Sequence, residues 1–199
     1  RIAPIEQHLA RLCRLVPTLD AIHRMRATLP HECLAAMAPS FWSYQYPFNF
    51  HVPGYLQWCE QADAAPAYRF HHYFLQHLQS RFRRERWVLK SPAHLGQLDA
   101  LLAMYPDARI IQTHRDPVEV IPSVTSLHHV MQGFGSDAID PHALGAAQVE
   151  YWGRALARTM TTRDQRPDCA QRFVDVEFED LLADPIAVVE RVYEHFQLA

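Results

Sequence analysis

Two short apolar runs in the second half of the chain end in the same way, and they constrain the fold more than any other feature. Residues 87–89 (Trp-Val-Leu) lead into Lys90 and a proline-marked turn, and residues 108–113 lead into Arg115 and a second such turn. A stretch with helical period follows each run. This alternation is typical of a parallel α/β sheet, which binds ligands at the carboxyl ends of its strands. The sequence therefore predicts an α/β fold that presents Lys90 and Arg115 at its ligand-binding edge.

A third apolar run extends the predicted sheet. Residues 172–176 are typical of a strand, and the next long helix is expected to begin at Asp184-Pro185, an N-cap followed by proline. Right-handed crossovers between these runs give at least three parallel strands flanked by helices. Residues 1–83 are predicted to be mainly helical, with a break at Pro17, and residues 84–199 to form the α/β portion of a single domain.

Composition excludes several classes of protein. The 199 residues are 49% hydrophobic and 21% charged, a balance typical of a globular domain. A net charge of -3 provides no overall field for nucleic acid or an anionic membrane, so we expect neither as a partner. No apolar run approaches the roughly 20 residues of a membrane span. No signal-peptide pattern is visible either, so the default expectation is a cytoplasmic protein.

Metal and disulfide chemistry are also not predicted. The four cysteines are scattered and include no Cys-x-x-Cys pair, which favours reduced thiols over a disulfide framework. The 13 histidines include no His-Glu-x-x-His or similar spacing, so we expect no metal. The sequence does not begin with methionine and ends on what reads as an unfinished helix. We therefore expect a fragment of a longer protein.

Each candidate site residue has an ordinary structural alternative. Lys90 is either an exposed lysine whose stem covers apolar neighbours or an anion ligand. Arg115 forms either a structural ion pair with Asp116 or Glu119, or a bidentate phosphate contact. The aromatic segment 41–55 has no clean period, and it either fills a core or lines an apolar pocket.

The combination of these motifs resembles the sulfotransferase family, and most closely its bacterial branch. The tyrosylprotein sulfotransferases share the same layout. The matching segments are Leu89-Lys90-Ser-Pro-x-His94-Leu, residues 105–117 ending in Arg115-Asp-Pro, Ser123 eight residues beyond Arg115, and residues 173–185 with Asp-Val-x-Phe-x-Asp-Leu. The resemblance implies an enzyme with a P-loop-like parallel sheet that transfers a sulfuryl group from 3′-phosphoadenosine-5′-phosphosulfate to a hydroxyl or amine.

The same resemblance implies roles for five residues. Arg115 and Ser123 would bind the 3′-phosphate of the donor, and Lys90 would lie near the transferred sulfuryl group. The base that deprotonates a small-molecule acceptor would be His94, whose imidazole we expect to have an ordinary pKa, or Glu32. No metal is implied.

One family feature is absent. Members carry a strand and a Gly-rich turn that cradle the 5′-phosphosulfate, whereas the first glycine here is Gly54 and lies in no such setting. We therefore expect an incomplete domain that holds the 3′-phosphate half of the donor site and is inactive alone. Two alternatives stay open, namely a P-loop kinase-like phosphotransferase and a non-catalytic nucleotide-binding or scaffold module.

Overall fold

The first part of the chain contains helices. The structure is a computed structural model that describes residues 2–17 and 24–198. Its first helices are α1 (Ile2–Leu15), α2 (Cys33–Met37), α3 (Gln45–Asn49), α4 (Pro53–Gln61) and α5 (Ala65–Gln79). The first helix ends just before Pro17, where the sequence predicts a break, and part of the helical period predicted beyond it, residues 18–23, lies outside the described residues.

The remaining elements alternate between helix and strand. They are α6 (Leu98–Met104), β1 (Ile110–His114), α7 (Pro117–Gln132), α8 (Pro141–Gln165), β2 (Phe173–Glu177), α9 (Phe178–Ala183) and α10 (Pro185–Phe196). Short 3₁₀ turns at Ala38–Ser40, Pro92–His94 and Pro167–Arg172 connect them. Pro122 lies within α7 and does not interrupt it.

The sheet is parallel, and in the described residues it has two strands. β1 pairs with β2 in a register that places Gln112 opposite Asp175. The α/β class is therefore confirmed, whereas the third strand predicted at residues 87–89 does not appear in the described residues. That segment forms no ladder with β1 or β2, and Val88 is 98% exposed. A strand exists only through hydrogen bonds to a neighbour, and an apolar run does not by itself provide that neighbour.

The two faces of the sheet pack on different cores. Phe173 faces the larger core, which α2, α5 and α6 build around Met37, Tyr68 and Leu102. Alternate residues of β2 point to the other face, where a second core packs against α10 and comprises Val174, Val176, Val188, Val192 and Phe196. Helices α2, α5 and α6 therefore lie on one face of the sheet and the last helix on the other.

One face of α8 connects the remaining elements, and we call its residues Ala155, Thr159 and Arg163 the α8 stripe. Their spacing of four places them on neighbouring helical turns. A Cβ at Gly96 would lie 3.2 Å from the Cα of Ala155, so only glycine allows this close approach. The Thr159 hydroxyl donates to the Leu95 carbonyl (3.2 Å), and Arg163 donates to the Gln112 side chain in β1 (2.9 Å).

Candidate active site

The segment after residue 89 lies over the start of α2 and brings together two of the predicted site residues. The Cys33 backbone N–H donates to the Lys90 carbonyl (3.0 Å), and the Lys90 ammonium forms an ion pair with the Glu32 carboxylate. The Lys90 side chain is 72% exposed and that of Glu32 only 19%. Two residues far apart in sequence thus form one accessible charge pair, with the cation on the outside.

His94 lies in the same segment, at the end of the 3₁₀ turn that follows Lys90. Its Nδ1 is 2.8 Å from the hydroxyl of Tyr68, which projects from α5. Burial, together with the neighbouring His71, lowers the pKa of His94 to about 4. The expectation of an ordinary imidazole pKa was therefore wrong, and the ring is neutral at neutral pH.

Arg115 directly follows β1, and its guanidinium contacts one carboxylate and one aromatic ring. Its guanidinium donates from Nε and Nη2 to Glu119 Oε2 (3.1 and 3.0 Å) and lies 4.5 Å from the centre of the Phe178 ring. Glu119, rather than Asp116, is thus the ion-pair partner of Arg115. Ser123 is exposed one turn beyond Glu119 on the same face of α7.

Asp116 has a structural task instead. Its side chain accepts a hydrogen bond from the Val118 backbone N–H (2.8 Å) and so caps α7, while Pro117 occupies the first helical position. The cap fixes where the helix begins and therefore where Arg115 leaves the strand. The Arg-Asp-Pro motif thus combines one cation with a helix start that positions it.

A polar cluster beside the site was not identified from the sequence. Asp175 of β2 accepts two hydrogen bonds from Arg163 (both 2.7 Å) and lies 2.7 Å from His114 Nε2. The Arg163 guanidinium holds the pKa of the Asp175 carboxyl well below its usual range. The available signal was the polar residues Gln112, His114 and Asp175 at alternate positions of otherwise apolar runs.

The aromatic segment 41–55 divides between core and surface. Trp42 and Tyr44 are buried, whereas Phe41 is 66% exposed. The cavity beside Trp42, Tyr44 and Ala93 measures about 20 Å³, which is room for roughly one water molecule. This cavity is far smaller than a typical ligand pocket. Trp42 and Tyr44 therefore contribute to core packing. The apolar pocket expected for this segment stays a prediction that concerns its exposed residues.

Three further observations concern metal sites, thiols and membrane-spanning helices in the described residues. Within residues 2–17 and 24–198, no group of His, Cys, Asp or Glu side chains has the geometry of a metal site. Cys13, Cys33, Cys59 and Cys169 are free thiols. In the same part of the chain, no helix combines the length and the apolar composition that crossing a membrane requires.

Comparison with known proteins supports the resemblance seen in the motifs. The sequence profile of the sulfotransferase family matches residues 3–199. The chain belongs to the sulfotransferase family. This sulfotransferase superimposes on sulfotransferase STF1 from Mycobacterium tuberculosis with a TM-score of 0.87 and 35% identity, over 99% of this chain and 53% of that one. For sulfotransferase STF9 from Mycobacterium avium the TM-score is 0.80 and the identity 27%, over 96% and 51% of the two chains.

Curated relatives of this sulfotransferase include enzymes with different acceptors in their names. Omega-hydroxy-beta-dihydromenaquinone-9 sulfotransferase Stf3 from Mycobacterium bovis is 31% identical over 131 residues, which are 63% of this chain and 32% of the relative. Human carbohydrate sulfotransferase 2 is 41% identical over 64 residues, which are 32% of this chain and 12% of that protein. The chain thus spans about half the length of the solved relatives, and its match covers about a third of Stf3.

Proposed function

We propose that the protein transfers a sulfuryl group from 3′-phosphoadenosine-5′-phosphosulfate to the hydroxyl of a small acceptor with an apolar part. The observation that carries the proposal is the pair of accessible cations, Lys90 and Arg115. Arg115 directly follows β1, Lys90 lies in the segment over the start of α2, and each is paired with one carboxylate, Glu32 or Glu119. Such cations can exchange their carboxylate for the oxygens of an anionic ligand.

Arg115 and Ser123 are assigned to the 3′-phosphate of the donor. A guanidinium binds a terminal phosphate with two parallel donors, and the Ser123 hydroxyl can add a third. Ser123 lies eight residues beyond Arg115 and one helical turn after Glu119, the residue that the guanidinium contacts. Glu119 would release the guanidinium when the phosphate binds.

Lys90 is assigned to the sulfuryl end of the donor. Sulfuryl transfer builds negative charge on the leaving phosphate, and a fixed cation lowers the barrier by stabilising that charge, as in phosphoryl transfer. The chemistry needs no metal. In the complete enzyme, a P-loop-like sheet with a strand and a Gly-rich turn beyond these residues would bind the 5′-phosphosulfate.

An acceptor with an apolar part is favoured by two observations. The match to the menaquinone-derivative sulfotransferase covers 63% of this chain, against 32% for the match to the carbohydrate enzyme. The exposed Phe41 and the half-exposed Trp58 offer apolar surface for contact with such an acceptor. Transfer of labelled sulfate by the full-length protein to a long-chain terminal alcohol, compared with a free monosaccharide, tests this choice. Preference for the sugar would contradict it.

Donor binding is tested by calorimetry on the full-length protein with adenosine 3′,5′-bisphosphate. We expect Arg115→Ala to weaken binding about ten- to hundredfold, because hydrogen bonds to a charged group contribute ~1.5–3 kcal/mol. Arg191→Ala removes a comparable exposed ion pair, with Asp180, and serves as the matched control. Adenosine 5′-monophosphate lacks the 3′-phosphate, so its binding should be unaffected by Arg115→Ala.

The competing functions give different results in the binding and sulfate-transfer experiments. A kinase-like phosphotransferase would bind ATP in preference to the bisphosphate. A scaffold module would bind the nucleotide, or none at all, without transferring sulfate. Absence of binding to the wild-type full-length protein would overturn the sulfotransferase proposal.

A further inference from the structure

The His94 ring packs against buried rings that belong mainly to α5. Tyr68 has no solvent exposure, and its hydroxyl lies 2.8 Å from His94 Nδ1. His71 is also buried and packs edge-on against both Tyr68 and His94, with ring centres 6.5 and 6.3 Å apart. His94 itself is only partly exposed.

The Tyr68 hydroxyl decides which nitrogen of His94 carries the proton. In the described residues, Nδ1 of His94 is the one hydrogen-bond partner found for this hydroxyl. A buried hydroxyl proton without an acceptor costs free energy, so the hydroxyl donates and Nδ1 accepts. In the neutral ring the proton then resides on Nε2.

We infer that Tyr68 is a positioning residue that makes His94 a hydrogen-bond donor through Nε2, and that Glu32 accepts the proton of the acceptor hydroxyl. This inference rests on the proposed function. The opposite tautomer would leave the Tyr68 proton unpaired in a site without solvent. The doubly protonated ring is disfavoured as well, because burial lowers the pKa of His94 to about 4. Glu32 is the carboxylate that the structure places beside Lys90.

The step balances with these assignments. The acceptor O–H proton goes to Glu32 while the acceptor oxygen forms its bond to sulfur. The bond between sulfur and the bridging oxygen breaks, and its electron pair stays on adenosine 3′,5′-bisphosphate. Lys90 and the Nε2–H of His94 stabilise the charge on that leaving group. Lys90 must leave Glu32 to do so, which means that donor binding frees the base.

The tautomer can be measured without any activity. In the full-length protein with ¹⁵N-labelled histidine, we expect the His94 spectrum at neutral pH to show an unprotonated Nδ1 and a protonated Nε2. His94→Gln identifies the signals by their loss. Tyr68→Phe should shift His94 toward a mixture of tautomers. Tyr105→Phe, the matched control, removes the hydroxyl 2.7 Å from His71 Nδ1 and should leave the His94 tautomer unchanged. A proton on Nδ1 in the wild type overturns the inference.

Kinetic measurements then distinguish the role of His94 as a hydrogen-bond donor from the role of Glu32 as the base. Glutamine at position 94 keeps an N–H donor, so we expect His94→Gln to lower kcat/KM by only about tenfold, below the 10²–10³ typical of deleting a catalytic donor. Glu32→Gln should lower it by about 10²–10⁴. The reverse pattern overturns the assignment of Glu32. Failure of the wild type to bind adenosine 3′,5′-bisphosphate would refute the proposed function instead, while the tautomer measurement would still stand.

Discussion

Asp175 shows at the scale of one residue how a carboxylate can join two strands and a helix. It accepts hydrogen bonds from Arg163 of α8 and lies against His114 of β1. Arg163 in turn lies 4.7 Å from the centre of the Phe173 ring and donates to Gln112. The cluster therefore fixes the sheet against α8 just where the strands deliver Arg115.

We expect Asp175→Asn to lower the free energy of unfolding by about 1 kcal/mol at neutral pH, since the carboxylate is half-exposed and its ion pair is partly screened. The lowered pKa of Asp175 means that this stability is present above the unfolded pKa of about 3.9 and disappears as the pH falls through the lower folded value. Urea denaturation at several pH values measures both effects. Asp180→Asn, at the exposed pair with Arg191, is the control and should have little effect.

The sequence could predict which residues of the site carry charge but not their surroundings. Lys90, Arg115 and Glu32 were identified from the motifs, and the structure pairs each cation with a carboxylate. The pKa of His94 could not be predicted, because the ring that buries it comes from α5, more than 20 residues earlier in the chain. Burial by a distant element leaves no local pattern.

At the scale of elements, one dipeptide sets the start of three helices. Asp-Pro precedes or begins α7, α8 and α10, and each aspartate accepts a hydrogen bond from a backbone N–H two residues on. In α10, Asp184 accepts from both Ile186 and Ala187 (3.1 and 3.0 Å). Because this signal is local, the sequence could predict the start of α10 at Asp184-Pro185.

Removal of this cap is expected to weaken the last helix. Asp184→Ala leaves two backbone N–H groups without their acceptor and should cost about 1 kcal/mol of unfolding free energy. Asp184→Ser keeps an acceptor oxygen and should restore most of the loss. Thermal denaturation followed by circular dichroism measures both variants. Equal stability of the alanine variant and the wild type would contradict the role of the cap.

Strands behave differently from helices in this respect. The run 87–89 has the same apolar character as β1, yet only β1 finds a neighbour, β2, with which to form a ladder. A helix satisfies its own backbone, whereas a strand depends on residues elsewhere. The number of strands therefore could not be predicted from apolar runs alone.

At the scale of the whole molecule, the small sheet leaves apolar side chains in contact with solvent. Val88 is fully exposed, and Ile111 of β1 is half-exposed although parallel strands are normally covered on both faces. Exposed apolar surface of this kind marks a contact site or an aggregation hazard.

The 199-residue chain, produced alone, should therefore bind a hydrophobic dye such as ANS. We expect Val88→Lys combined with Ile111→Lys to reduce the dye fluorescence while changing the unfolding free energy by no more than about 0.5 kcal/mol, since both positions are at the surface. Leu182→Lys, at an exposed position of α9, is the matched control. Unchanged fluorescence in the double variant would contradict the assignment of the dye site.

The α8 stripe also sets the spacing of two segments of the fold. Thr159 binds the carbonyl of Leu95, just after the Lys90 segment. Arg163, one helical turn further along α8, binds the side chain of Gln112, just before Arg115. That turn rises about 5.4 Å. The helix therefore fixes the distance between the segments that carry Lys90 and Arg115, while residues on its opposite side remain free to diverge. Under the proposed function, the acceptor could change during evolution without any change in the spacing that donor binding requires.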